Sequence, residues 1–250
     1  MIAFAARTMS FAAYDPSVTI LVLWDIDHTL LSIGPLSGEL YRDTFVKVTA
    51  QPFERLADMA GRTDLAITSE TLRLHGIVPT DALLASFAEA LAAAFDSNRD
   101  RLAAQGRALH GARDALQTLA GRDDIVQSVL TGNAEPIARC KLAAFDLDRF
   151  VDFDIGAYGM DGAERPPLVA LARQRAEGKY GLTFDASTTV LIGDTPKDVE
   201  AGHQGGARVV AVATGSSTID DLKAAGAELV LPDLRDTDAV VAAVLDVSGP

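Results

Sequence analysis

Two stretches of this chain place acidic residues directly after a short apolar run. Asp25-Ile26-Asp27-His28-Thr29 follows residues 19–24 (TILVLW), and Gly193-Asp194-Thr195-Pro196-Lys197-Asp198 follows residues 190–192. In extended backbone, side chains two residues apart project to the same side, so Asp25 and Asp27 share a face. Carboxylates that close repel each other unless a proton or a cation intervenes. Capping explains part of the pattern: Thr195 suits a helix N-cap, Pro196 the first helical position, and Asp198 the acid of a capping box. Asp25 and Asp27 are also open to a capping reading. Asp194 is not, because it precedes the cap. If the two stretches converge, three or four carboxylates share one crevice and call for a hard cation. Mg²⁺ fits, being held by a few carboxylate and carbonyl oxygens, waters and a substrate phosphate.

A third stretch, Ser128-Val129-Leu130-Thr131-Gly132-Asn133, ends an apolar run in a hydroxyl, a glycine and an amide just before a helical pattern at Glu135–Pro136. Thr131 and the backbone N–H groups at such a helix start make a site for a phosphate oxygen. The alternative is that Asn133 only caps the helix.

These stretches need elements to position them. Apolar runs at 19–24, 125–130, 153–157, 190–192, 209–212 and 229–231 read as buried strands. Helical spacing of apolar residues fills 112–119, 136–145, 168–180, 198–205, 218–226 and 237–247. Strands alternating with helices predict an α/β fold, a three-layer, Rossmann-like parallel sheet with helices on both faces. From Gly34 to Leu109 no strand is expected. Instead there are three helical patterns: residues 40–48, a stretch after Thr63-Asp64, and a third carrying Leu83, Leu84, Phe87, Leu91, Ala94 and Phe95 on one face. The expected organisation is a discontinuous α/β core (17–33 and 107–250) carrying an inserted all-helical cap domain (34–106), with residues 1–16 as a disordered extension. Met9 is an alternative start.

The chain has 250 residues, 48% hydrophobic and 23% charged, long enough to bury a core without staples. Its 22 basic and 35 acidic residues give −13, which disfavours nucleic acid and anionic membrane as partners. One cysteine, Cys140, excludes an intrachain disulfide and a cysteine-based zinc site. It reads as a small core residue. With no secretory signal and no apolar stretch long enough to span a bilayer, a cytoplasmic location is expected.

The ordered stretches resemble the haloacid dehalogenase-like (HAD) hydrolases, in the branch of phosphoglycolate phosphatases and β-phosphoglucomutases. Asp25-Ile26-Asp27-His28-Thr29 looks like the family's DxDxT motif, Thr131 like its Ser/Thr motif, and Gly193-Asp194 with Asp198 like its GDxxxD motif. Arg165, in Arg165-Pro166-Pro167, looks like the basic motif that is more often Lys; Lys141 and Lys179 are rivals for that place. The helical insertion resembles a C1-type cap, with Gly61-Arg62-Thr63-Asp64 as a substrate loop. The resemblance implies that Asp25 is a nucleophile forming an aspartyl-phosphate and that Asp27 is the general acid and base. It implies Mg²⁺ among the Asp25 side chain, the Asp27 backbone carbonyl and Asp194, with Asp198 as a ligand or orienter. Thr131 and Arg165 would hold phosphoryl oxygens, with Gly132 and Asn133 beside them. An acid at Asp27 favours phosphoryl transfer over dehalogenation. His28 stands where the family often has Gly and is expected to lend only its backbone.

Arg62 is open to two readings, a specificity residue reaching the non-reacting part of the substrate or a surface charge. His75, His110 and His203 are scattered and read as structural. The expected function is a Mg²⁺-dependent phosphatase of a small phosphorylated metabolite. A phosphomutase acting on a sugar phosphate is the alternative, and a catalytically idle binding protein on the same scaffold a further one.

Overall fold

Residues 18–248 are described by a computed structural model; the expected extension at 1–16 lies outside them. The sheet is built on β1 (Ile20–Trp24), every residue of which is buried. Ile20, Val22 and Trp24 join one apolar cluster, while Leu21 and Leu23 join another on the opposite face. A strand buried on both sides needs apolar residues throughout, which is why it reads as a run rather than an alternation.

After β1 the chain makes β2 (Leu31–Ser32) and then four helices: α1 (Leu36–Thr49), α2 (Asp64–Leu74), α3 (Asp81–Ser97) and α4 (Arg99–Gln105). It returns through β3 (Arg107–Ala108) to α5 (Ala112–Ala120), β4 (Ile125–Val129), α6 (Glu135–Ala143), α7 (Pro166–Tyr180), β5 (Thr189–Gly193) and α8 (Pro196–Gly205). The last elements are β6 (Arg208–Val212), α9 (Ile219–Ala224), β7 (Leu229–Leu231) and α10 (Thr237–Val247). The main sheet is parallel in the order β4-β1-β5-β6-β7. Residues of α5, α6 and α10 pack with one face, and residues of α7 and α8 with the other, giving three layers. Between β1 and β4 a buried polar pair is satisfied: Trp24 Nε1 donates to Gln127 Oε1 at 2.9 Å, and Gln127 Nε2 donates to the Leu116 carbonyl at 2.9 Å.

Three expectations are corrected. Residues 153–157 are not a strand. Phe153–Ile155 form a 3₁₀ turn whose start is fixed by the Asp152 side chain accepting from Asp154 N, and only Ala157 pairs with the sheet, bridging to Leu130. The insertion carries four helices rather than three, because the third pattern breaks at Asn98. A strand does occur between Gly34 and Leu109. β2 and β3 pair antiparallel, Leu31 with Ala108 and Ser32 with Arg107, so the chain entering and the chain leaving the insertion run side by side. Two residues are too few for any periodicity to show.

Candidate active site

β1 lies between β4 and β5, strands that come later in the chain, so β1 marks the point where strand order reverses. In open parallel sheets, ligands bind beyond the carboxyl ends of strands at such a point. The segments after β1, β4 and β5 carry Asp25 and Asp27, Thr131 to Asn133, and Asp194 to Asp198. The three stretches singled out in the sequence therefore meet at one end of three adjacent strands. Asp25 continues the ladder, its N–H donating to the Ile192 carbonyl at 2.8 Å.

Asp25, Asp194 and Asp198 are all buried, and each offers a carboxylate oxygen within 4.8 Å of the others. Thr29 shares its hydroxyl between Asp25 Oδ2 at 3.3 Å and Asp194 Oδ1 at 3.1 Å. Arg165, ahead of α7, puts Nη2 3.0 Å from Asp25 Oδ1 and 2.6 Å from Asp198 Oδ1, and donates to the Leu130 carbonyl at 3.2 Å. The two oxygens of Asp198 face different ways. Its Oδ2 closes a capping box at the start of α8, accepting from Thr195 N at 3.0 Å and Thr195 Oγ1 at 2.6 Å. Its Oδ1 faces the acidic group.

The electrostatics of this cluster are unbalanced. Burial, then the charge of Asp198, pushes the Asp25 carboxyl well above the usual carboxylate range, against the pull of Arg165. Burial, then Asp25 and Asp198, does the same to Asp194. With all three carboxylates ionised, the one guanidinium would leave two negative charges, and the upward shifts of Asp25 and Asp194 follow from burial and from that repulsion. Two buried polar atoms here, Asp198 Oδ1 and Arg165 Nε, have no hydrogen-bond partner among the described residues. The approach of Arg165 to Asp198 Oδ1 is an ion pair whose angle makes no hydrogen bond. An oxygen-only donor set, an excess of two negative charges and an orphaned carboxylate oxygen fit a divalent hard cation such as Mg²⁺. The orphaned Nε–H is a donor suited to an anion.

Asp27 faces elsewhere. Lys141, on α6, places Nζ 2.8 and 2.6 Å from the two Asp27 oxygens, and Asn133 Nδ2 donates to Asp27 Oδ2 at 2.7 Å. Burial alone would raise the Asp27 carboxyl, but the Lys141 charge and the Asn133 hydrogen bond hold it below its ordinary value. Asn133 is not a helix cap: Ala134 holds that position, and the amide instead donates to Thr131 Oγ1 at 2.9 Å and accepts from Lys141. Of the three or four acids expected in one crevice, three carboxylates gather and the Asp27 side chain is diverted to a lysine.

The insertion closes over these groups to enclose a cavity of about 770 Å³, reached by core residues and by Tyr41, Met59, Arg62, Asp64 and Phe95. Part of its contact with the core is made by backbone. The N-terminus of α2 donates from Asp64 N to the Gly132 carbonyl at 2.7 Å and from Leu65 N to the Gly159 carbonyl at 3.2 Å. A side chain at Gly132 would run into the Arg62 carbonyl oxygen, so this approach requires glycine. Gly61 adopts φ 62°, and a Cβ there would fall 2.7 Å from Lys197 Cβ. Asp64 joins the two parts from its side chain as well: Oδ2 accepts from Ala134 N at 2.8 Å, and Oδ1 accepts from Tyr41 Oη at 2.8 Å.

All the expected site residues line this one cavity. Arg62 lines it too, but its guanidinium is committed within the insertion, to Glu70 Oε2 at 2.6 Å and to the Asp58 carbonyl at 3.2 Å. His28 sits at φ 64°, which explains why glycine is at home in that place, and its carbonyl accepts from Thr214 Oγ1 at 2.6 Å. Sequence reasoning missed three features: the bridging hydroxyl of Thr29, the Lys141–Asp27 pair, and the Tyr41–Asp64 link. Thr29 lies within the first motif and Asp64 within the quoted insertion loop, so those two were within reach. Lys141 was visible only as a rival phosphate binder.

Comparison with known proteins follows the same lines. The probable phosphatase IndB of Dickeya dadantii (strain 3937) is 25% identical over 234 residues, 92% of this chain and 96% of that protein. A hydrolase from Pseudomonas syringae shares the fold with a TM-score of 0.65 and 21% identity, covering 90% of this chain and 99% of that one. CbbY from Rhodobacter sphaeroides, solved in complex with phosphate, matches with a TM-score of 0.65 and 18% identity, covering 88% of this chain and 96% of that one. Among the described residues, no helix is long and apolar enough to cross a membrane. The model of the haloacid dehalogenase-like hydrolases matches residues 22–203, more than half of the sequence and a span that includes the stretches singled out above, and the chain belongs to that family.

Proposed function

We propose that this chain is a Mg²⁺-dependent phosphatase of the cytoplasm that hydrolyses a small phosphorylated metabolite through an aspartyl-phosphate on Asp25. The observation that carries the reading is the meeting of Asp25, Asp194 and Asp198 around Arg165, with a buried oxygen and a buried N–H left without partners in a cavity. The phosphatase named among the relatives and the phosphate-bound neighbour agree with it.

In this reading Asp25 attacks phosphorus in line with the leaving oxygen, splitting one difficult displacement into two. Arg165 and Thr131 hold the phosphoryl oxygens, and Gly132 and Asn133 shape the wall beside them. Asp27 protonates the leaving oxygen and then takes a proton from the water that hydrolyses the phosphoenzyme. Asp25, Asp194 and Asp198, with the Asp27 carbonyl, would hold Mg²⁺, which would supply the positive charge that lets an anionic nucleophile meet an anionic phosphate. Residues 34–106 act as a cap over the core formed by residues 17–33 and 107–250. They exclude bulk water and limit the substrate to what a cavity of about 770 Å³ encloses.

The test is turnover of p-nitrophenyl phosphate and a panel of small phosphometabolites, each with Mg²⁺ and with EDTA. Orthophosphate release that requires Mg²⁺ is expected. No turnover across the panel overturns the reading. Product analysis with a hexose 1-phosphate separates the two family chemistries, orthophosphate marking a phosphatase and hexose 6-phosphate a mutase.

A further inference from the structure

Lys141 is the least expected residue of the site. It lies within helix α6, where a lysine ordinarily reaches solvent, yet its side chain is 2% exposed. An ammonium has three N–H donors. Here it meets three acceptors: Asp27 Oδ1 at 2.8 Å, Asp27 Oδ2 at 2.6 Å and Asn133 Oδ1 at 2.7 Å. Its donors are matched by side chains of the protein, so it is not poised to take a phosphate oxygen. The Phe95 ring of α3, from the insertion, lies 5.4 Å from Nζ. The Asp27 side chain, by contrast, is 36% exposed and opens to the cavity. Asn133 completes a three-residue clamp, donating to Asp27 and to Thr131 Oγ1 while accepting from Lys141.

We infer that Lys141 is a positioning residue for proton transfer: with Asn133 it fixes the Asp27 carboxyl from behind, so that its cavity-facing oxygen meets the leaving-group oxygen of the substrate. The inference rests on the proposed phosphatase reading. In the first step a P–O bond forms to Asp25 as the bond to the leaving oxygen breaks, and Asp27, ionised at rest beside Lys141 and protonated from the hydrolytic water of the preceding turnover, passes that proton to the leaving oxygen. In the second step water attacks phosphorus, Asp27 takes its proton, and Asp25 and orthophosphate separate. Lys141 keeps its protons throughout. It touches neither the substrate nor the reacting atoms, and acts through Asp27.

The experiment uses the full-length protein with saturating Mg²⁺ and a series of phenyl, p-methoxyphenyl and p-nitrophenyl phosphates. These probes share the phosphate charge and a single aryl ring, and they differ in how much the departing oxygen needs a proton. kcat/KM reports the first chemical step, so the ratio of the p-nitrophenyl to the phenyl value reads proton donation alone. General acid catalysis contributes about 10²–10⁴-fold, and loss of its alignment in Lys141→Met is expected to raise the ratio about tenfold or more. Lys141→Gln, which keeps a polar group for Asp27, is expected to raise it less and serves if the methionine variant does not fold. A purely structural lysine would lower all three substrates alike, and an unchanged ratio in folded variants overturns the inference. Asp27→Asn is the control. If it raises the ratio and Lys141→Met does not, the positioning role fails while the function stands. If Asp27→Asn leaves the ratio unchanged, the acid assignment itself fails.

Discussion

Around Asp25, three buried carboxylates share one guanidinium, and two of the polar atoms have no hydrogen-bond partner among the described residues. Around Asp27, two residues further along, one carboxylate meets one ammonium and an amide, and the three donors of Lys141 are matched by three acceptors. The first region carries a charge imbalance that protein groups do not settle, and the second is settled by protein groups alone. Burying an unpaired charge is costly and burying a saturated pair much less so. The difference separates a region that keeps charge and polar atoms free for a ligand from one whose polar groups are matched within the chain.

The strongest test of this contrast is at the nucleophile. Asp25→Asn keeps the volume and removes the attacking oxygen's charge, so kcat should fall on the order of 10⁴-fold or more in a steady-state phosphate-release assay. Near-normal turnover would place the nucleophile elsewhere. A smaller effect is expected at Asp194, whose carboxylate serves only the unbalanced region. Asp194→Asn should raise the Mg²⁺ concentration for half-activity at least about 10–100-fold, the range that changes at the outer-shell partners of a metal already produce. It should also reduce the rise in Tm that Mg²⁺ gives the wild type in thermal unfolding. Lys141 variants should leave that Mg²⁺ shift in place, since they belong to the balanced region. Equal loss of the shift in both would erase the distinction. The smallest effect belongs to Arg62, which Glu70 and the Asp58 carbonyl already occupy. Arg62→Ala is expected to raise KM about two- to fivefold with kcat nearly unchanged, the pattern of lost uniform binding. Unaltered constants would make it a structural part of the insertion.

Much of the site was legible because its residues fall in short stretches tied to recognisable elements. Asp25 ends a strand buried on both faces, and Asp198 completes a capping box that can be read from Thr195-Pro196-Lys197-Asp198. Thr131 precedes a helix start. Arg165 was identified by resemblance, and the structure puts it on Asp25 and Asp198. The parallel sheet was legible through its apolar runs, except at 153–157, where the chain turns between Asp152 and Gly156 and bridges to the sheet only at Ala157. The β2–β3 pair was not legible, because two residues carry no period.

Local pattern thus determined the elements, the strand ends and the identity of the acids, since each follows from burial and capping within a few residues. The tertiary structure alone decided which charges meet. Lys141 reaches Asp27 across 114 positions of sequence, and Asp194 shares Thr29 with Asp25 across more. Coulomb and desolvation effects depend on distance in space, and that distance is set by the strand order β4-β1-β5 and by the backbone contacts that seat the insertion on the core.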